Sequence, residues 1–242
     1  MGLSYGGFGR AVERFSHVFF VAAAGAMMAM SGPMGSLASA QTANVADVKP
    51  LRLAVLGDSL TAGYGLPATA AFPVRLQKAL ADKGIATTIH NAGVSGDTTT
   101  GGLARLEWSI PPGTEAVIVE LGANDALRGV DPSVARGALD EILTKLKARN
   151  IAVLLCGMYA PPNYGADYTT KFNSIYPELA ERHKVPLYPF FLDGVATVAK
   201  LTQPDGLHPT AEGVDVVVTR ILPTVEAFLK DRAAQLSKPS GG

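Results

Sequence analysis

The alternation of short apolar runs with longer amphipathic segments limits the fold of this chain more than any other feature of its sequence. The apolar runs have the length and β-branched content of buried parallel strands, and they predict strands at 51–57, 85–91, 115–121, 150–157 and 186–188. The amphipathic segments predict helices at 73–83, 99–108, 132–149, 168–184 and 210–229, the last kinked or restarted at Pro223. This order predicts an α/β protein with three α/β/α layers and a five-stranded, mostly parallel sheet.

The first 40 residues have a different character. Two arginines precede an apolar run at 18–30, and small residues follow up to Ala40. This is the layout of a secretory signal peptide with cleavage after Ala40, and it predicts a periplasmic or secreted protein. The apolar run is shorter than the roughly 20 residues of a membrane-spanning helix, but an uncleaved N-terminal anchor remains the alternative.

The rest of the chain divides into three parts by composition. Residues 41–50 are polar and end in a proline, so we expect a short linker. Residues 51–232 carry all the predicted strands and helices and form one domain. Residues 233–242 are predicted to be a flexible tail.

Composition and charge exclude several classes of protein. The chain has 242 residues, of which 48% are hydrophobic, and its 21 basic and 21 acidic side chains balance. No basic stripe is present, so we expect no nucleic-acid partner. The one cysteine, Cys156, excludes an intrachain disulfide and is predicted to be buried at a strand end. The sequence has no histidine or cysteine spacing of the kind that binds zinc. No dinucleotide-binding fingerprint follows the first strand. We therefore predict neither a metal nor a cofactor.

Four short blocks carry the residues for chemistry. They are Gly57-Asp58-Ser59-Leu60, Ser95-Gly96-Asp97, Gly122-Ala123-Asn124-Asp125 and Asp205-Gly206-Leu207-His208. The first three follow predicted strands, so their residues can converge at one edge of a parallel sheet. Each residue taken alone has an ordinary structural explanation, such as a helix cap or a turn.

Taken together, the blocks contain the parts of a serine acyl-transfer site. Ser59 is a candidate nucleophile, and His208 with Asp205 three residues earlier is a candidate base with its orienting carboxylate. The Gly96 N–H and the Asn124 amide are candidate donors to the oxyanion of a tetrahedral intermediate. The other histidines of the chain lie in less suitable places.

The blocks resemble those of the SGNH hydrolases, also called the GDSL family, and most closely the bacterial multifunctional acyl-CoA thioesterase/lysophospholipase/arylesterase group. The resemblance covers roughly 52–229, through LGDSLTAGY (56–64), NAGVSGDT (91–98), GLARL (102–106), ELGANDALRG (120–129), PNYG (162–165), IYP (175–177), VPL (185–187), PFF (189–191) and DGLHP (205–209). It implies a flavodoxin-like fold.

The resemblance also implies roles for particular residues. Ser59 would be the nucleophile and would add its own N–H to the oxyanion donors, with His208 as base and then acid. A loop at 126–131 and a wall at 158–165 would border the acyl group. Substrate-binding residues would be Ala126, Leu127, Tyr159, Ala160 and Tyr164. The group often has Arg-Leu-Pro in this wall, where this chain has Tyr159, Ala160 and Pro161.

The implied function is a serine esterase that hydrolyses aryl and acyl esters, lysophospholipids and acyl-CoA through an acyl-serine intermediate. Such an enzyme would bind a small acyl ester or thioester, touch lipid transiently and act as a monomer. Two alternatives remain open at this point. One is a carbohydrate O-acetyl esterase of the same superfamily, and the other is a non-catalytic acyl-binding protein on the same fold.

Overall fold

One parallel sheet of five strands forms the centre of the protein. A computed structural model of the chain describes residues 49–238. The strands are β1 (Leu51–Gly57), β2 (Thr87–Gly93), β3 (Ala116–Glu120), β4 (Ala152–Cys156) and β5 (Leu187–Tyr188). Their order is β2-β1-β3-β4-β5, and every neighbouring pair is parallel. The predicted α/β class and five-stranded sheet are confirmed, with no antiparallel strand in the described sheet.

Helices cover both faces of the sheet. They are α1 (Ser59–Ala62), α2 (Phe72–Asp82), α3 (Thr99–Ser109), α4 (Ala123–Leu127), α5 (Pro132–Ala148), α6 (Ala166–Asn173), α7 (Ile175–His183) and α8 (Ala211–Leu236). Helix α2 packs against α8, while α3 and α7 both pack against α5. The sheet therefore lies between two helical layers, as predicted.

The central strands are buried because helices cover both of their faces. All five residues of β3 are buried, as are the last five of β1 and the last four of β4. Strand β2 lies at the sheet edge, and only Ala92 of its seven residues is fully buried. Cys156 is 1% exposed at the end of β4, which confirms its predicted placement.

The register of the sheet brings four strand ends to the same level. Gly57 at the end of β1 pairs with Gly93 of β2 and with Glu120 of β3, and Glu120 pairs with Cys156 of β4. The chain order reverses on either side of β1, which is where ligands bind in open parallel sheets. The segments that follow these strands therefore meet at one crevice.

Strand β2 begins two residues later than the sequence predicted. The Ile85 N–H donates to the Leu80 carbonyl at 2.9 Å and so belongs to the turn that ends α2. Pairing with β1 then starts at Thr87 and continues to Gly93. The apolar character of Ile85 reflects packing against the core and not a place in the strand.

The single helix predicted at 168–184 is instead two helices, α6 and α7. Pro177 lies in the first turn of α7 and has no N–H to donate to the Asn173 carbonyl. The Asn173 side chain accepts a hydrogen bond from the Ala160 N–H at 2.9 Å, so this junction also holds the loop after β4.

The last helix is longer than predicted. Helix α8 passes through Pro223 without a break and ends at Leu236, so residues 233–236 of the predicted flexible tail are helical. Arg232 secures these last turns, because its guanidinium donates to the Glu115 and Asn150 carbonyls at 3.0 and 2.6 Å. The predicted signal peptide (1–40) and most of the linker lie outside the described residues. Within 49–238 no helix is both long and apolar enough to span a membrane.

Arg105 ties together the segments that follow β1 and β2. It is 5% exposed, and it donates to the Ala92 carbonyl at 2.7 Å and to the Gly57 carbonyl at 2.9 Å. Its Nε also forms an ion pair with Asp97. The cation therefore fixes the end of β1 against the loop that follows β2.

We predict that Arg105→Met lowers the free energy of unfolding by about 3 kcal/mol, because it leaves a partly buried carboxylate and two carbonyls without their donor. The matched control is Arg182→Met, which removes an exposed partner of Asp140 and should cost less than about 1 kcal/mol. Urea denaturation of both variants measures the difference. Equal losses of unfolding free energy in the two variants would show that Arg105 does not hold the ends of β1 and β2 together.

Candidate active site

Three side chains from distant parts of the sequence form one hydrogen-bonded chain. Ser59 begins α1 directly after β1, and its Oγ lies 2.8 Å from the Nε2 atom of His208. The Nδ1 atom of His208 lies 2.7 Å from Asp205 Oδ2. This is the geometry in which a carboxylate orients an imidazole and the imidazole takes a proton from a hydroxyl.

The loop that carries Asp205 and His208 is held by its own hydrogen bonds. Asp205 Oδ1 accepts from the N–H groups of His208 and Leu207, at 3.0 and 2.9 Å. Together with the imidazole, these donors lower the pKa of Asp205 to about 2. The group is therefore a carboxylate near neutral pH, and it favours the tautomer with the proton on Nδ1 and a lone pair on Nε2, facing Ser59.

The two predicted oxyanion donors lie beside this chain of side chains. Asn124 lies in the first turn of α4, and its Nδ2 donates one N–H to Asp58 Oδ2 at 3.2 Å, which leaves the second N–H free for a ligand. Gly96 has a φ of +84°, which favours glycine there. Among the described residues, no acceptor is within hydrogen-bond reach of the Gly96 N–H.

Arg128 contacts both oxyanion candidates, although it was not among the site residues predicted from the sequence. Its Nη2 donates to the Gly96 carbonyl at 2.9 Å and lies 3.5 Å from Asn124 Oδ1. The guanidinium thus contacts the loop after β2 and the helix after β3 at the same time. The signal available in the sequence was its place in the block at 120–129, four residues after Asn124.

Two buried carboxyl groups lie behind Ser59. Burial raises the pKa of Asp58 to about 6, although its Oδ1 accepts from the Leu60 N–H at 2.9 Å. Burial, and then the charge of Asp58, raise the pKa of Glu120 well above its ordinary value. Glu120 is fully buried, and neither of its side-chain oxygens has a hydrogen-bond partner among the described residues. Burial therefore favours the neutral form of Glu120, whereas the hydrogen bonds to Asp205 favour its carboxylate.

The other acidic groups near the site have partners within the fold. Asp125 accepts from the N–H and the hydroxyl of Thr99, at 2.8 and 2.7 Å, and Asp97 pairs with Arg105. Within 49–238 no three histidine, cysteine, aspartate or glutamate side chains gather as a metal site requires.

A cleft of about 720 Å³ opens beside Ser59, Asn124 and His208. Four of the five predicted substrate-binding residues line it, namely Ala126, Leu127, Tyr159 and Ala160. Most of the remaining lining is apolar. Met158 belongs to the predicted wall at 158–165, whereas no substrate contact was predicted for Leu60, Phe190, Leu192, Ala196 or Leu207.

Tyr164, the fifth predicted substrate-binding residue, is not part of the cleft lining. Its hydroxyl donates to the Leu127 carbonyl at 2.9 Å, and its ring lies against Gly129. It therefore supports the 126–131 loop from beside the cleft lining, and its direct contact with substrate stays a prediction. Tyr64 is a neighbour of the site that the sequence analysis missed, with its ring 4.5 Å from that of His208.

Comparison with known proteins fits this geometry. The model of the GDSL-like Lipase/Acylhydrolase family matches residues 55–216, which contain every residue of the hydrogen-bonded chain and both oxyanion candidates. The chain belongs to this family. It is an ester-cleaving serine hydrolase with the SGNH fold, as its resemblance to the GDSL family predicted.

Individual relatives agree with the family. The chain is 44% identical over 162 residues to an arylesterase of Vibrio mimicus, covering 66% of this chain and 81% of the relative. It is 43% identical over 161 residues to thioesterase 1/protease 1/lysophospholipase L1 of Escherichia coli K12, covering 66% and 76%. The crystal structure of AlinE4, an SGNH-hydrolase family esterase, is 46% identical with a TM-score of 0.64, covering 74% of this chain and 97% of AlinE4.

We predict that Glu120→Gln flattens the dependence of stability on pH. The folded protein holds a proton on Glu120 that the unfolded chain releases above about pH 4.5, so the free energy of unfolding falls as pH rises, by up to about 1.4 kcal/mol per pH unit. Glutamine cannot titrate, so the variant should lose this slope.

Urea denaturation at pH 5 and pH 8 measures the effect, with the exposed Glu107→Gln as the matched control. The control should keep the slope of the unchanged protein. If Glu120→Gln also kept it, Glu120 would be ionised in the fold and our assignment would be wrong.

Proposed function

We propose that Ser59, His208 and Asp205 are the catalytic triad of this esterase, and that Ser59, Gly96 and Asn124 supply the oxyanion donors. The observation that carries the proposal is the unbroken chain of hydrogen bonds from Ser59 through His208 to Asp205, at the mouth of an apolar cleft. Ser59 is 9% exposed, and it lines the cleft with its hydroxyl against His208.

The first half of the reaction forms an acyl-serine. The Ser59 Oγ attacks the carbonyl carbon of the ester while His208 Nε2 takes the hydroxyl proton. The resulting oxyanion accepts hydrogen bonds from the Ser59 N–H, the Gly96 N–H and the free N–H of Asn124. The tetrahedral intermediate collapses, and the alcohol or thiol leaves with the proton from His208.

The second half releases the acid. Water enters from the open cleft and gives a proton to His208 as its oxygen attacks the acyl carbon. The same three donors hold the second oxyanion, and Ser59 regains its proton from His208 as the acid departs. Asp205 stays ionised through both halves, because its pKa of about 2 lies far below the pH of the reaction.

The cleft supports esters with apolar acyl or aryl groups as the substrates of this chain. Among the described residues of its lining, Asp193 is the one carboxylate, and it pairs with Arg220 at 2.7 Å. The names of the relatives extend the proposed range to aryl esters, lysophospholipids and acyl thioesters. Leu127, Tyr159 and Leu207 are each 44–50% exposed at the cleft, which supports transient contact with lipid.

The remaining parts of the proposal concern the whole chain. The arginines, apolar run and small residues of 1–40 support a signal peptide and hence a periplasmic or secreted enzyme. All residues of the proposed site come from one chain, which supports a monomeric enzyme.

We predict that residues 41–242 hydrolyse p-nitrophenyl esters of two to twelve carbons with an optimum at four carbons or more, because the cleft is apolar. Ser59→Ala should lower kcat by at least about 1000-fold, since it removes the attacking atom. The matched control is Ser133→Ala, an exposed serine at the start of α5, which should keep full activity.

Three results would overturn parts of this proposal. A Ser59→Ala variant with a tenth of the original rate would exclude the serine mechanism. Activity on acetate and sugar acetates alone would favour the carbohydrate O-acetyl esterase, and no turnover of any ester would favour the acyl-binding protein.

A further inference from the structure

Two aromatic side chains form part of one wall of the cleft. They are Tyr159, from the segment after β4, and Phe190, from the segment after β5. The Tyr159 ring stacks on Phe190, with 4.6 Å between the ring centroids and 22° between the planes. Both residues line the cleft that contains Ser59 and His208.

The backbone around this ring pair is fixed before any ligand binds. Tyr159 follows β4 and Phe190 follows β5, and the two connecting segments exchange hydrogen bonds. The Gly157 N–H donates to the Tyr188 carbonyl at 2.7 Å, and the Phe191 N–H donates to the Gly157 carbonyl at 2.9 Å. A preorganised ring loses little conformational entropy when a ligand stacks on it.

The Tyr159 ring has surface left for a ligand. The residue is 50% exposed although Phe190 covers one face of the ring. Its hydroxyl makes no hydrogen bond to any of the described residues, so no polar contact within the fold accounts for this position of the side chain. A half-exposed aromatic ring at the mouth of an apolar cleft is a stacking surface.

The charges around the cleft favour an uncharged partner for this ring. Among the described residues that line the cleft there is no lysine or arginine, and the one carboxylate there, Asp193, already pairs with Arg220. A polyanionic group therefore meets no cation in this described lining, whereas a neutral ring is stabilised by apolar contact and by the offset stacking of two aromatic rings.

We propose that Tyr159, supported by Phe190, is a binding subsite for an uncharged aromatic ring of the substrate and so determines specificity for aromatic esters. The ring belongs either to the alcohol or to the acid half of the ester. The inference rests on the proposed function, because the subsite acts only where Ser59 cleaves the bound ester. Phe190 is a positioning residue that supports the ring from behind.

The test compares kcat/KM within each variant on three alkyl esters whose leaving groups have similar basicity. Benzyl butyrate carries the ring on the alcohol, ethyl 4-phenylbutyrate carries it on the acid, and ethyl butyrate has none. Tyr159→Ala should lower kcat/KM on one of the aromatic esters about two- to tenfold more than on ethyl butyrate, mainly through KM. Which aromatic ester is affected assigns the ring to one half of the substrate.

Tyr159→Phe is the matched variant, because it keeps the ring and removes only the hydroxyl. It should retain the aromatic preference of the unchanged enzyme. Equal losses by Tyr159→Ala on all three esters would contradict the proposal, and so would undiminished rates on both aromatic esters. Loss of the preference in Tyr159→Phe would show that the hydroxyl, and not the ring, selects the substrate.

The test separates this proposal from the catalytic one. Turnover of ethyl butyrate that Ser59→Ala abolishes establishes the serine mechanism without reference to Tyr159. If that turnover is present and Tyr159→Ala changes kcat/KM equally on all three esters, only the proposal of an aromatic subsite is wrong. A urea denaturation curve for Tyr159→Ala that matches the unchanged protein excludes a folding defect as the cause of any loss.

Discussion

The shared level at which the parallel strands end is the constraint on which the rest of this protein depends. Because Gly57 pairs with both Gly93 and Glu120, the segments after β1, β2 and β3 leave the sheet side by side. Each segment needs only a few residues to bring its polar group to the same crevice. A shift of one residue in this register would move Ser59 away from Asn124 and turn the strand side chains to the opposite face.

The site then depends on carboxyl groups held in opposite states. Asp205 lies at the surface, accepts two backbone N–H groups and keeps a low pKa of about 2. Burial favours the protonated form of Glu120 behind Ser59, and it raises the pKa of Asp58 to about 6. The negative charge that orients His208 therefore lies on the solvent side of the imidazole.

Much of the architecture was predictable from the sequence, because it depends on periodic burial. The strands and most helices follow from apolar runs and amphipathic spacing, and the sheet-edge positions of Ser59, Gly96 and Asn124 follow from the strand ends. The split between α6 and α7 was missed because amphipathic spacing continues across Pro177. The length of α8 was missed because it depends on the bonds of Arg232 to distant carbonyls.

The lining of the cleft was predicted less well, because it depends on contacts between segments that are far apart in sequence. Tyr164 belongs to a block of the family resemblance, yet only the structure places its hydroxyl on the Leu127 carbonyl, beside the cleft lining. Phe190 shares the cleft with Tyr159 because β4 and β5 are neighbours, and a two-residue strand gives little periodic signal. Glu120, whose side-chain oxygens have no hydrogen-bond partner among the described residues, likewise appears in the sequence only as one acidic residue in an apolar run.

The central claim is that the Oγ atom of Ser59 attacks the substrate and that His208 activates it. The most direct test is reaction with a p-nitrophenyl phosphonate ester, followed by intact mass and peptide mapping. We predict one adduct per chain, on Ser59, with a labelling rate that falls at least about 1000-fold in His208→Ala. An adduct on another residue, or equal labelling rates in the two proteins, would contradict the account.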